Sequence, residues 1–170
     1  MIVAALDVGT NSVLMLLARL GLRAVEVARL ELGDIDWRQG ELVIRSKGGR
    51  LDRLPLPPDV GEALVSYLRH GRPRTESRHV FITDCAPRRG VERTAASEAV
   101  ERACARAGMP PARAHRLRHA LATEMLRNGA TLPEIGQVLR HRDLATTAVY
   151  AKVDRIALDT VVQPWPGGAR

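Results

Sequence analysis

Aromatic residues, cysteine and lysine are all scarce in this chain. Phe, Trp and Tyr make up 3% of it, so a core built on stacked rings is excluded and the interior must be aliphatic. Cys85 and Cys104 have neither metal-ligand nor redox spacing. That excludes a disulfide framework and leaves two unpaired thiols suited to a reducing cytosol. Long apolar runs are lacking too. The opening "MIVAALDVGTNSVLMLLARLGL" is interrupted by Asp7, has no basic start and no small-residue cleavage site. It reads as neither signal peptide nor membrane span, so the expected location is the cytoplasm with no membrane partner.

What is present is an ordinary globular balance, 45% hydrophobic and 26% charged over 170 residues, enough for one domain with a real core. The charge is lopsided: 26 Lys and Arg against 19 Asp and Glu give a net +7. Such a surplus suits a polyanionic partner. Only Lys47 and Lys152 are lysines; the rest are arginines, whose planar forks match phosphate oxygens better than an ammonium does.

Along the chain, "SVLMLLARL" reads as a buried helix stopped by Gly21, and "RAVEVARLEL" resumes helical spacing as far as the turn "GDID". "ELVIRSKGGRLDRLPLP" predicts a β-hairpin around Gly48-Gly49 with Lys47 and Arg50 at its tip. Pro57-Pro58 opens a helix, followed by a basic loop with Arg69, Arg72, Arg74 and Arg78 and the extended "VFIT". A second basic loop carries Arg88, Arg89 and Arg93 before a helix with Thr94 as expected N-cap and Gly108 as stop. The predicted class is mainly α with a small antiparallel sheet, α+β.

The segment "AHRLRHALATEML" concentrates cationic and titratable groups at a helix start. Positions i, i+3 and i+4 share a helix face, which groups His115, Arg118 and His119, with Leu117, Ala120, Leu121 and Met125 as the neighbouring apolar stripe. Cations at a helix N-terminus oppose its dipole unless an anion sits before them; a solvated basic turn is the bland alternative. Next, "TLPEIGQVLRHRD" has Thr131 as N-cap, Pro133 in its first turn, and Ile135, Val138 and Leu139 as the expected buried face, ending at His141. "LATTAVYAKVD" predicts a short helix to Tyr150, whose threonine neighbours favour a semi-exposed hydroxyl. Read alone, this stretch could also be a helix-turn-helix, which would account for neither Arg23 nor Lys47.

H-x-x-R at His115 and Arg118, then His141, then Tyr150 nine residues on, resembles the C-terminal signature of the tyrosine recombinases, the phage-integrase family. "GLRAVEVARLELGDID" resembles the family's first arginine motif, with Arg23 and Glu26, and "IRSKGGRLDRLPLP" its β-hairpin, with Lys47 at the position of the catalytic lysine. The likeness runs from about Leu14 to Lys152. It implies the tyrosine recombinase catalytic-domain fold and a site-specific recombinase or integrase acting on double-stranded DNA, assembled as a homo-oligomer, a tetramer, on its substrate.

The resemblance also implies roles. Tyr150 would attack a phosphodiester, forming a 3′-phosphotyrosyl bond and releasing a 5′-hydroxyl, with no ATP, metal or cofactor. A phenol of pKa about 10 needs activation to do this. Arg23 and Arg118 would neutralise the non-bridging oxygens, Lys47 would protonate the leaving oxygen, His115 would assist proton transfer, and His141 would bond a phosphate oxygen. Glu26 would orient Arg23 or its helix, and His119 would be a supporting structural residue. Arg50, Arg72, Arg74, Arg88, Arg89 and Arg140 are the expected DNA-backbone contacts.

Three departures qualify the likeness. Family members carry a helical DNA-binding domain ahead of this one, whereas about twenty residues precede Arg23 here; the expected organisation is a catalytic domain over 1–155, that other domain absent, and a tail over 156–170 packing in trans or back in cis. "ALDVGTNS" resembles the phosphate loop of actin-like enzymes, but helical residues follow, so Asp7 and Thr10 are read as capping residues. Arg140 stands where a glycine commonly precedes the second histidine. A DNA-binding remnant without activity and a type IB topoisomerase-like nicking-closing enzyme remain the alternatives.

Overall fold

The computed structural model describes residues 7–46, 49–141 and 147. Its elements run α1 (Val8–Arg19), α2 (Ala24–Ala28), a 3₁₀ turn (Leu32–Asp34), β1 (Ile35–Asp36), β2 (Glu41–Arg45), β3 (Leu51–Pro55), α3 (Pro58–His70), α4 (Arg93–Arg106), α5 (Ala114–Arg127) and α6 (Leu132–Val138). The chain divides into two compact units, with the boundary inside α5 between His119 and Ala120. No helix among the described residues is long and apolar enough to cross a membrane.

In the first unit α1 packs against α3 and α4, and α2 against α4. Asp7 caps α1: its carboxylate accepts from the Thr10 backbone N–H and hydroxyl, both at 2.7 Å, and Arg106 reaches the same carboxylate at 3.3 Å. The capping reading of "ALDVGTNS" therefore holds. The core is aliphatic, as the scarcity of rings required: Leu16, Leu17, Leu22, Leu30, Leu42, Ile44 and Leu64 are all buried. Tyr67 and Phe81 stack with ring centroids 5.1 Å apart, and the Tyr67 hydroxyl accepts from the Ile82 N–H. Cys85 and Cys104 are free thiols.

The sheet is antiparallel in the order β1-β2-β3, pairing Ile35 with Leu42 and Arg45 with Leu51. Leu42 and Ile44 point into the core from alternate positions of β2, whereas β3 buries no residue fully. The hairpin is thus held to the core through Leu42 and Ile44 of β2, with Leu54 of β3 packed beside them. Sequence pattern found β2 and β3 and missed β1, which at two residues has no periodicity to read.

Several boundaries differ from expectation for local reasons. α2 stops at Ala28 because the chain then turns to form an isolated antiparallel bridge between Glu31 and His79: the Val80 N–H donates to the Leu30 carbonyl and the Leu32 N–H to the Arg78 carbonyl, each at 2.8 Å. α4 is capped at Glu92 rather than Thr94. The extended backbone persists through Val91, whose N–H donates to the Phe81 carbonyl, and the helix begins directly after it.

In the second unit Ala122, Ile135 and Leu139 are buried together, with Leu121, Met125, Leu126, Ala130 and Leu132 packed around them. Thr131 caps α6 in a reciprocal box with Glu134; the Thr131 N–H donates to that carboxylate at 2.7 Å. The box holds the Glu134 carboxyl below its ordinary range. Val138, expected inside, is 40% exposed, because the helix ends there and the inward face is carried by Ile135 and Leu139.

Candidate functional site

The turn after α1 is where the first unit gathers its charged groups. Gly21 takes a left-handed backbone, φ 58°, which ends the helix without side-chain strain. Two residues on, Arg23 is the N-cap of α2. Glu26, only 6% exposed, accepts from the Arg23 backbone N–H at 2.8 Å and from its guanidinium at 2.7 Å. One carboxylate therefore satisfies an orphan helix donor and holds the Arg23 guanidinium.

Arg118 comes to the same turn from almost a hundred residues away. Its guanidinium donates to the Gly21 carbonyl, and it is 8% exposed. The negative end of α1 receives this cation, which offsets the cost of placing it near the start of α5. Sequence reasoning grouped Arg118 with His115 and His119 on one presented face. The structure separates them: Ala114, Arg118 and Ala122 recur every four residues along the buried face of α5, while His115 and His119 are exposed. Ala120, expected in the apolar stripe, is exposed as well.

The two imidazoles lie edge to face with centroids 6.0 Å apart. Burial, then the neighbouring His115 and Arg118 charges, hold the His119 pKa below the ordinary histidine value. The first unit thus combines one buried and one half-exposed guanidinium with two exposed imidazoles. Guanidinium forks of this kind suit the oxygens of an anion, and an imidazole beside them suits proton transfer.

In the second unit the chain leaves α6 through a Schellman turn. The Arg140 N–H donates to the Gln137 carbonyl at 3.0 Å and the His141 N–H to the Gly136 carbonyl at 2.9 Å. Arg140 occupies the left-handed position, φ 53°. That conformation explains why glycine is at home before the second histidine. Arg140 is 7% exposed, so this expected DNA contact is a buried side chain. His141 Nδ1 lies 2.8 Å from the Thr147 hydroxyl, and Thr147 is 1% exposed. Sequence reasoning missed Thr147 as a partner of His141.

Lys47 and Tyr150 lie outside the described residues. The hairpin leading to Lys47 is closed by the Ser46 N–H on the Arg50 carbonyl at 2.8 Å. Arg50 is exposed and paired with Asp52 at 2.7 Å. Arg72, expected to meet DNA, instead braces its own loop, donating to the carbonyls of Ser77, His79 and Val80. Arg74, Arg88 and Arg89 are exposed. The Arg88 guanidinium donates to the Arg74 carbonyl at 3.3 Å, so the two basic loops form one surface. Among the described residues no cluster of three or more His, Cys, Asp or Glu could hold a metal ion.

These features have counterparts in known proteins. The protein y4rA of Sinorhizobium fredii, of the integrase/recombinase class, is 52% identical over 94% of this chain. The tyrosine recombinase XerD of Mycobacterium tuberculosis is 33% identical over 95% of it. The chain spans 39% of the length of y4rA and 52% of that of XerD. In fold it is similar to the crystal structure of XerA recombinase, with a TM-score of 0.75 at 24% identity, covering 93% of this chain and 60% of that one. The model of the phage integrase family matches residues 2–155, and to that family the chain belongs.

Proposed function

We propose that this chain carries the catalytic machinery of a site-specific DNA recombinase, with Tyr150 as nucleophile. The Tyr150 hydroxyl attacks the phosphorus of a DNA phosphodiester. The P–O5′ bond breaks as the phosphotyrosyl bond forms, the phenol proton leaves by way of His115, and Lys47 protonates the departing 5′-oxygen. Arg23 and Arg118 bind the two non-bridging oxygens, where charge accumulates in the transition state, and His141 donates to one of them. The energy of the broken bond is kept in the covalent link, so a second 5′-hydroxyl reverses the step and exchanges strands.

The observation that carries this reading is the convergence of Arg118 on the Gly21–Arg23 turn. A surface charge would be solvated. Here a buried guanidinium donates to the Gly21 carbonyl, two residues before Arg23, whose own guanidinium Glu26 holds. Such preorganisation costs folding energy and is useful where charge develops. The joined surface of Arg74, Arg88 and Arg89 supports a role in following the duplex backbone, and a tetramer on DNA completes the proposal. XerH is known in a post-cleavage complex with its difH substrate, a member of the same fold in the state proposed here.

The test uses a nicked suicide duplex whose cleaved end diffuses away. Wild-type protein should accumulate a covalent adduct that maps to Tyr150, and Tyr150→Phe should form none while binding duplex as before. An adduct in Tyr150→Phe, or one on the buried Tyr67, overturns the assignment. Binding without cleavage should weaken with salt by about 0.9 log unit per log unit of salt for each phosphate contacted.

A further inference from the structure

Thr147 is buried to 1% exposure with its hydroxyl 2.8 Å from Nδ1 of His141. We propose that Thr147 is a positioning residue: its hydroxyl donates to Nδ1 and thereby fixes His141 as the tautomer that carries its proton on Nε2. The inference rests on the reading of His141 as a phosphate ligand, since only an Nε2–H can donate outward from a neutral ring whose Nδ1 is occupied.

The surroundings are built for that one contact. A neutral imidazole has one donor and one acceptor nitrogen, and the partner of one nitrogen decides which. The threonine hydroxyl is a rotor and can supply the donor. Buried, it has no bulk water to serve in its place, so leaving it unbonded would cost free energy. Gly136 makes room: a Cβ there would lie 3.2 Å from the Thr147 oxygen. The same Gly136 carbonyl holds the His141 backbone N–H. Backbone and ring of His141 are thus both fixed within one small cluster, a carbonyl from Gly136 for the first and a hydroxyl from Thr147 for the second.

The experiment combines ¹⁵N-imidazole spectra of the full chain with suicide-substrate cleavage for wild type, Thr147→Val, Thr147→Ser and Gly136→Ala. Wild-type His141 should show a pyridine-type Nδ1 and a pyrrole-type Nε2. Thr147→Val keeps the shape and removes the donor. It should lose that single-tautomer signature and slow adduct formation about tenfold, the size of one hydrogen bond, with duplex affinity unchanged. Thr147→Ser should restore both readouts. Gly136→Ala, which suits a helix better than glycine, should still disturb the signature by displacing the hydroxyl. An unchanged tautomer in Thr147→Val, or a serine variant as impaired as the valine one, overturns the proposal. If wild type gives no adduct, the recombinase reading fails by itself, while the spectra still decide the role of Thr147.

Discussion

α1 and α6 both leave their last turn through a left-handed residue, Gly21 at φ 58° and Arg140 at φ 53°, and each hands the chain to a candidate site residue. After Gly21 come Leu22 and Arg23; after Arg140 comes His141. At the first end the turn residue is glycine, and its carbonyl is given to the buried Arg118. At the second the turn residue is a buried arginine in a conformation that L side chains avoid, at a cost of about 1–2 kcal/mol. The lesson is that one backbone device serves two ends differently. In one it offers a carbonyl to a buried guanidinium; in the other it fixes the backbone of the histidine that follows, and the side chain at the turn is an addition with an energetic cost.

Removing Arg118 should break the first end most severely. Arg118→Ala leaves the Gly21 carbonyl without this donor and the site without a guanidinium. Adduct formation should fall by on the order of 10²–10³-fold, as when a preorganised transition-state donor is lost, and stability by about 1–3 kcal/mol. Arg118→Lys sharpens the point. Its ammonium can satisfy the carbonyl or a phosphate oxygen, and lacks the fork that serves both. Melting temperature should therefore recover more than cleavage does. Wild-type adduct yield in a destabilised Arg118→Ala would reduce Arg118 to a helix cap.

Much of this contrast was legible before any coordinates. The stop at Gly21, and the Thr131 cap with Pro133 in its first turn, are local patterns, and local patterns are what a sequence displays. The hairpin around Lys47 announced itself by Gly48-Gly49 between apolar runs. What could not be read is set by distant partners. α2 ends where residues 78–80 pair with Leu30 and Leu32. Arg72 is drawn inward by three carbonyls of its own loop, and Thr147 looked like a polar neighbour of Tyr150 until its contact with His141 was seen. Arg140 was recognised as a departure, but its reason, a left-handed backbone, is invisible in a string of letters.

At the second end the prediction isolates backbone from side chain. Arg140→Gly and Arg140→Val both discard the guanidinium, so their difference reports the turn alone. A β-branched residue at positive φ is strongly disfavoured, and the valine variant should be less stable than the glycine variant by about 1–2 kcal/mol in chemical denaturation. Because His141 follows directly, adduct formation should track the same order. Equal stability of the two variants would mean that position 140 does not hold the left-handed conformation in solution, and the comparison with Gly21 would collapse.

The smallest expected effect returns to the first end and concerns His119. Its pKa lies below the ordinary value of about 6.5, through burial first and then through the charges of His115 and Arg118. The folded protein therefore binds fewer protons here than the unfolded chain just below that value. Stability must then rise with pH across the interval between the two pKa values, and the deficit is complete once both states are protonated. His119→Gln should flatten that part of the stability curve and leave the rest, a difference read from melting temperatures of the two proteins over the same pH series. The other histidines are common to both, so the difference isolates this one. Inorganic sulfate bound near Arg118 and His115 should cancel part of their repulsion, raise the His119 pKa, and shrink the wild-type slope toward that of the variant. A slope that survives in His119→Gln, or one that sulfate steepens, would show that the cations at this end do not act on His119, and that the charge gathered around the Gly21 turn is already neutralised before any phosphate arrives.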